Sequence, residues 1–399
     1  MLKSLLKRLA GRWARDPHYA AHISRVLAWG DVGAPGSRAR AIGALSDDAL
    51  PPWPSDLLGE RIAPLALSAY PELERDLAGI TSETTLRERR LLVTLMATVW
   101  DGVHNVLEVG PFLGGTTRAL GLGMYMNPRR QNSARLWTMD RFHQYYSGED
   151  LRARLRACTG PALSPELIEE AARTTNFRPA FDALHTGTRY APFLQVADGW
   201  LPDTPVVQTG GVALVRSMGP TSVFFVDGCK SWFSLRALFQ SAADVAQPGA
   251  CWIFQDYGWP ACFWIPLAVE MAGALFRPLT CADNTYAFQM SDPKLLAEWS
   301  SSLPADVEAL PAERIESAWD NLLATARARR DGRALVAHEL NRSAALGYRG
   351  LREEARDVWM RCESDHGSGR FGGLVRQSRQ SLTYRPSDKE DGIWIEITL

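Results

Sequence analysis

One stretch constrains the fold more than any other: Asn105-Val-Leu-Glu-Val-Gly-Pro-Phe-Leu-Gly-Gly-Thr-Thr117. A short apolar run is followed by glycines and then by helical spacing from Thr116 to Met124. This reads as strand, tight turn and helix, the opening unit of a βα array. A turn that brings backbone close to a ligand at the end of a strand has no room for side chains, and Gly110, Gly114 and Gly115 leave it bare.

Further β-like runs lie at Ala134 to Met139, Phe193 to Val196, Ser222 to Val226, Cys251 to Phe254 and Tyr286 to Met290. Helical stretches at Trp232 to Val245 and Ile265 to Phe276 fall between them. Strand and helix in alternation imply an α/β fold, a doubly wound, mostly parallel sheet covered on both faces. Upstream, Ser/Thr caps with Glu83 and Glu88 open a helix that runs to Trp100. Residues 141–192 are too long for a plain connection and read as a lid-like insertion or as a packing or dimer element. The expected division is a helical N-terminal region over 1–83, a ligand-binding domain over 84–291, and a helical C-terminal region over 292–399 that ends on the alternating strand Ile393-Trp-Ile-Glu-Ile397.

The chain start places Leu2, Leu5, Leu6, Leu9 and Trp13 on one helical face and Lys3, Lys7, Arg8 and Arg12 around the other. This is the pattern of weak membrane contact through residues 1–15, although docking on the protein itself or on a sister subunit of a homo-oligomer is the stronger reading. A net charge of -1 offers no broad attraction to nucleic acid, which is not expected as a partner. The six cysteines form no CxxC pair and no zinc spacing, so the expectation is a reduced, cytoplasmic protein. No apolar run approaches the roughly 20 residues needed to cross a bilayer.

The chemistry is read from strand ends. The helix starting near Thr116 aims its first amides at a ligand carboxylate, and Glu108 is placed to pair with a cationic amino group. Pro111 and Phe112 occupy the stretch where a pyrophosphate would need close backbone contact, so the turn is not the GxGxxG of nicotinamide enzymes. Asp140 ends the second strand, where an acid accepts the two hydroxyls of a ribose or simply caps the next turn. Asp198 ends the third strand and is read as a partner for an adenine amino group or as a turn residue.

Three segments carry a resemblance: Glu108-Val-Gly-Pro-Phe-Leu-Gly-Gly-Thr-Thr117, Phe225-Val-Asp-Gly228 and Gln247-Pro-Gly-Ala-Cys-Trp-Ile-Phe-Gln-Asp-Tyr-Gly258. Together they resemble the class I, Rossmann-like S-adenosylmethionine-dependent methyltransferases, in the group that includes macrocin-type sugar O-methyltransferases and cephalosporin hydroxylase-like proteins. The likeness covers roughly residues 85 to 291. It implies that S-adenosylmethionine is held by Glu108, Gly110 and Asp140, with Gly114, Gly115, Thr116 and Asp198 around it, and that Asp227 and Asp256 are candidate ligands for Mg2+. Two departures stand out. The acid and histidine that usually follow Asp-Gly are Cys229 and Lys230 here, and one acid of the frequent Asp-Asp pair is Gln255. A hard cation prefers oxygen, and Asp227, Asp256 and the Gln255 carbonyl are the three on offer.

Methyl transfer to an alcohol needs the acceptor deprotonated, and His143 is the first base candidate, with Lys230 and Asp256 behind it. The aromatic cluster Trp252, Tyr257, Trp259, Phe263 and Trp264 suits stacking on a sugar ring, or a core. The function implied is O-methylation of a hydroxyl on a sugar, glycan or secondary metabolite. A non-methylating enzyme of the same fold and a nucleotide-binding pseudoenzyme used for assembly remain as alternatives.

Overall fold

A computed structural model describes residues 72–205, 209–386 and 394–397. The basic helix expected over 1–15, most of the N-terminal region and Ile393 lie outside the described residues. Chain contacts divide the described residues into two units, with residues 72–199 and 220–224 in the first and residues 200–205, 209–219, 225–386 and 394–397 in the second.

The first unit opens with helices α1 (Leu73–Ala78) and α2 (Leu86–Thr98). A reciprocal cap starts α2: Glu88 N donates to Thr85 Oγ1 at 3.1 Å, and Thr85 N donates to the Glu88 carboxylate at 2.7 Å. Two helix-end amides are thereby satisfied, as the Thr/Glu spacing predicts. Strand β1 (Asn105–Val109), helix α3 (Gly115–Met126) and strand β2 (Leu136–Asp140) follow. Helices α4 (Gly148–Arg156), α5 (Pro165–Thr174) and α6 (Arg178–His185) then lead to strand β3 (Leu194–Asp198). Both neighbouring pairs are parallel, with Val106 opposite Leu136 and Asp140 opposite Asp198, so β2 and β3 end level. The insertion builds a core with the turn that precedes α3: Leu151, Leu155, Ile168, Phe177 and Phe181 are buried together with Phe112 and Leu113.

The second unit contains helix α7 (Gly211–Ser217), which precedes strand β4 (Thr221–Val226), a strand that begins in the first unit. Helix α8 (Trp232–Ala242), strand β5 (Ala246–Phe254), helix α9 (Trp264–Met271), and strands β6 (Phe276–Ala282) and β7 (Thr285–Met290) continue the chain. Five helices follow: α10 (Pro293–Ser302), α11 (Ala312–Ala328), α12 (Gly332–Tyr348), α13 (Arg352–His366) and α14 (Gly372–Gln380). Strand β7 lies antiparallel between β5 and β6. One expectation is corrected here. The helix read as running to Phe276 stops at Met271, because Gly273 turns the chain at φ 56° into β6. The chain closes on a separate antiparallel pair, β8 (Thr383–Pro386) with β9 (Trp394–Ile397).

The seven-stranded sheet has the order β3-β2-β1-β4-β5-β7-β6. It follows the doubly wound order 3-2-1-4-5-6, with one antiparallel strand slipped in before the last. This is the Rossmann-like, mostly parallel α/β fold expected of a class I methyltransferase, extended by C-terminal helices. Among the described residues, no helix is long and apolar enough to cross a membrane.

Candidate functional site

The turn between β1 and α3 is held by its backbone conformation. Gly110 and Gly114 lie at φ 84° and 87°, and Phe112, which has a side chain, lies at φ 50°. A left-handed Phe carries a cost that only surrounding structure can offset. Here its ring packs on Tyr146 and Phe177, at 5.1 and 5.4 Å between centroids, and Gly114 N donates to Pro111 O at 2.8 Å.

Asp140 ties this turn to the end of β2. Its carboxylate accepts from Phe112 N at 3.3 Å and from Phe142 N at 3.0 Å, and the Arg141 amide also reaches it. Burial raises its pKa from 3.8 to about 6 against the opposing pull of those amides and of the Arg141 charge. A carboxylate offers about four acceptor positions, so the group binds the turn and keeps capacity for a ligand hydroxyl.

Two glycines serve a different purpose from the expected one. A Cβ on Gly114 would stand 1.9 Å from His185 Nε2, and one on Gly115 would stand 2.5 Å from Ser82 Cβ. The space beside both is filled by the protein's own side chains, so these glycines are required by packing at least as much as by any ligand. Glu108 is fully buried and accepts from Thr116 Oγ1 at 2.6 Å and Thr117 Oγ1 at 2.5 Å. The carboxylate braces β1 against the first turn of α3, and Thr116 is part of its clamp.

Asp198 is largely exposed, with 73% of its side chain accessible, and pairs with Arg178 Nη1 at 2.8 Å. Its expected part in adenine recognition has no geometric support beyond its place level with Asp140. His143 lies three residues after Asp140, bridged to Asn176, and burial followed by the charge of Arg141 lowers its pKa from 6.5. It is neutral at physiological pH, the state a base requires.

Sequence reasoning missed His185. It is buried against Gly114, with Nδ1 2.7 Å from Tyr190 Oη and Nε2 3.2 Å from Leu113 O. A carbonyl only accepts, so Nε2 carries the proton and Tyr190 donates to Nδ1. Burial, with the nearby Arg118 charge, pushes its pKa down to about 3 and keeps it neutral. A lone histidine in a helix carries no local signal of such a contact across 72 residues. A groove of about 470 Å3 lies elsewhere in this unit, lined by Arg75, Asp76, Arg118, Arg189 and Tyr190 and by none of the turn residues Gly110 to Gly115.

In the second unit, Asp227 and Asp256 lie just beyond the carboxyl ends of β4 and β5. Lys230 Nζ donates to Asp227 Oδ1 at 2.9 Å and also to Asp256 Oδ2. An ammonium held between two carboxylates is a donor and a cation, an arrangement that favours the protonated form over the neutral amine a base requires. Asp256, engaged by Lys230 and 3.7 Å from Cys262 Sγ, is likewise committed. The Mg2+ expectation finds no support in this geometry. The Gln255 carbonyl accepts from Thr285 Oγ1 at 2.6 Å, and no cluster of three His, Cys, Asp or Glu residues suited to a metal occurs among the described residues. Of the aromatic cluster, Trp252, Tyr257, Phe263 and Trp264 are core. Tyr257 packs on His338 and Phe263 on Tyr348, so these rings face the C-terminal helices and not a sugar.

Solved structures that align with the chain include two methyltransferases. The O-methyltransferase NovP shares 15% identity, with 55% of this chain and 88% of its own covered, at a TM-score of 0.33. The calicheamicin methyltransferase CalS11 shares 13%, with 64% and 92% covered, at 0.31. Superpositions this loose assign nothing to individual residues, and the fold rests on strand order and register. No protein-family model and no curated protein matches the chain.

Proposed function

We propose that the β1–α3 turn holds S-adenosylmethionine and that the chain transfers its methyl group to a hydroxyl of a sugar, glycan or secondary metabolite. The observation that carries the reading is Asp140: a carboxyl at the end of β2, hydrogen-bonded to the turn and retaining acceptor capacity for a ligand hydroxyl. The donor set suits an amino-acid nucleoside. Asp140 accepts from the ribose hydroxyls, and the first amides of α3, which have no partner within the helix, receive the carboxylate.

When bound, the sulfonium supplies an electrophilic methyl carbon and a neutral thioether leaving group. The chain's own task is alignment and proton removal. His143, neutral, would take the proton of the acceptor hydroxyl as that oxygen is methylated.

Two outcomes test this reading. S-adenosylhomocysteine should stabilise the protein by about 2.7 kcal/mol at a hundredfold excess over its dissociation constant, whereas NAD should leave the thermal midpoint unchanged. Equal shifts with both would remove the assignment. Donor binding should also weaken about tenfold between pH 8 and pH 5, because a carboxyl titrating near 6 loses acceptor capacity when protonated. Asp140→Asn should bind weakly with a flat profile, and an unchanged slope in that variant would exclude Asp140. Stability of the ligand-free protein runs the other way. A folded pKa raised from 3.8 to about 6 gives a contribution that is full below 3.8 and lost as pH rises through 6.

A further inference from the structure

We propose that Lys230 is a built-in cation that takes the place of a divalent metal between Asp227 and Asp256, so that this chain binds no metal there. The inference concerns the second unit and stands independently of what the β1–α3 turn binds.

The three side chains are mostly withdrawn from solvent, with 14% of Lys230, 22% of Asp227 and 16% of Asp256 accessible. Two carboxylates brought this close repel each other and require a positive charge between them. The ammonium supplies it as a compact point charge with three donors, of which two go to Asp227 Oδ1 and Asp256 Oδ2. A magnesium ion would instead need near-octahedral oxygen coordination. Here the position between the two acids is already taken by Lys230 Nζ, and the third expected ligand, the Gln255 carbonyl, is engaged by Thr285 Oγ1.

The backbone on both sides of Lys230 is fixed. Trp264 Nε1 donates to Cys229 O at 3.1 Å, and Ser231 caps α8, its hydroxyl accepting from Ser234 N at 3.0 Å. The lysine therefore enters from an anchored loop, and an incoming metal ion would have to displace a charge the fold has already placed. Removing that charge should have the opposite effect. Two acids without a cation form an incomplete metal site, which water oxygens can complete.

The probe is Mn2+, followed by the electron paramagnetic resonance signal of the free aqueous ion, with circular dichroism on every sample to establish folding. Wild-type protein and Lys230→Arg should leave the signal unchanged. Lys230→Ala and Lys230→Met should remove about one ion per chain, with affinity at least about tenfold above wild type. Asp256→Asn added to Lys230→Met should abolish that uptake. The proposal is overturned by stoichiometric uptake in wild type that Asp256→Asn abolishes, or by a folded Lys230→Ala or Lys230→Met that takes up none. If neither neutral variant folds, the wild-type titration decides: no uptake upholds the proposal and Asp256-dependent uptake ends it.

Discussion

Gly114→Ala is expected to lower stability by about 2–5 kcal/mol, summing a left-handed backbone penalty of about 1–2 with an overpacking cost of about 1–3. The residue sits at φ 87°, which a Cβ disfavours, and that Cβ would stand 1.9 Å from His185 Nε2 and 2.8 Å from Phe181 Cε2. His185 has little freedom to yield. Both ring nitrogens are hydrogen-bonded, and its ring centroid lies 4.2 Å from that of Phe181. Chemical denaturation reads the loss directly. Adding His185→Ala to Gly114→Ala should lower the steric part but leave the backbone part of about 1–2 kcal/mol, since no neighbour alters the preference of alanine for negative φ. A loss below about 1 kcal/mol for Gly114→Ala would mean that the turn has room the structure does not give it.

Replacing Thr116 and Thr117 together by valine should cost about 3–6 kcal/mol, at about 1.5–3 for each hydrogen bond to a charged group. Valine keeps the shape of threonine and removes the hydroxyl, so the buried Glu108 carboxylate loses both donors that clamp it to α3. Asymmetry is the diagnostic feature. Stranding a buried acceptor is expensive, whereas removing acceptor and donors together can be nearly neutral. The triple variant that adds Glu108→Met should therefore recover most of the stability lost by the double variant. If the triple variant is the least stable of the set, Glu108 is held mainly by interactions other than these hydroxyls.

The turn was legible because its signals are local. An apolar run, glycines and a threonine-led helix fall within thirteen residues of sequence, and the structure gives β1, left-handed glycines and α3 in that order. The cap of α2 was legible for the same reason, as Thr85 and Glu88 are three residues apart. Strand β6 was obscured, because Arg277 and Pro278 break the apolar pattern and the preceding helical spacing carries on to Phe276.

The candidate sites were less legible, because their defining contacts are long-range. Lys230 meets Asp256 across 26 residues, and only the ends of β4 and β5 bring them together. Read along the chain, Asp227 and Asp256 are two acids awaiting a cation, and nothing nearby says that the cation is a lysine. His185 fills the space beside Gly114 from the far end of the insertion, so a glycine that reads as open to a ligand is occupied by the protein. The aromatic residues after β5 read as a stacking surface until α12 is placed against them.

Crystals grown with S-adenosylhomocysteine test the central assignment most directly. The expected density lies over the Gly110 to Gly114 turn, with the ribose hydroxyls on the Asp140 carboxylate and the amino-acid carboxylate on the first amides of α3. Density confined to the groove lined by Arg75, Arg118 and Arg189, or no bound nucleoside at saturating concentration in well-ordered crystals, would contradict it.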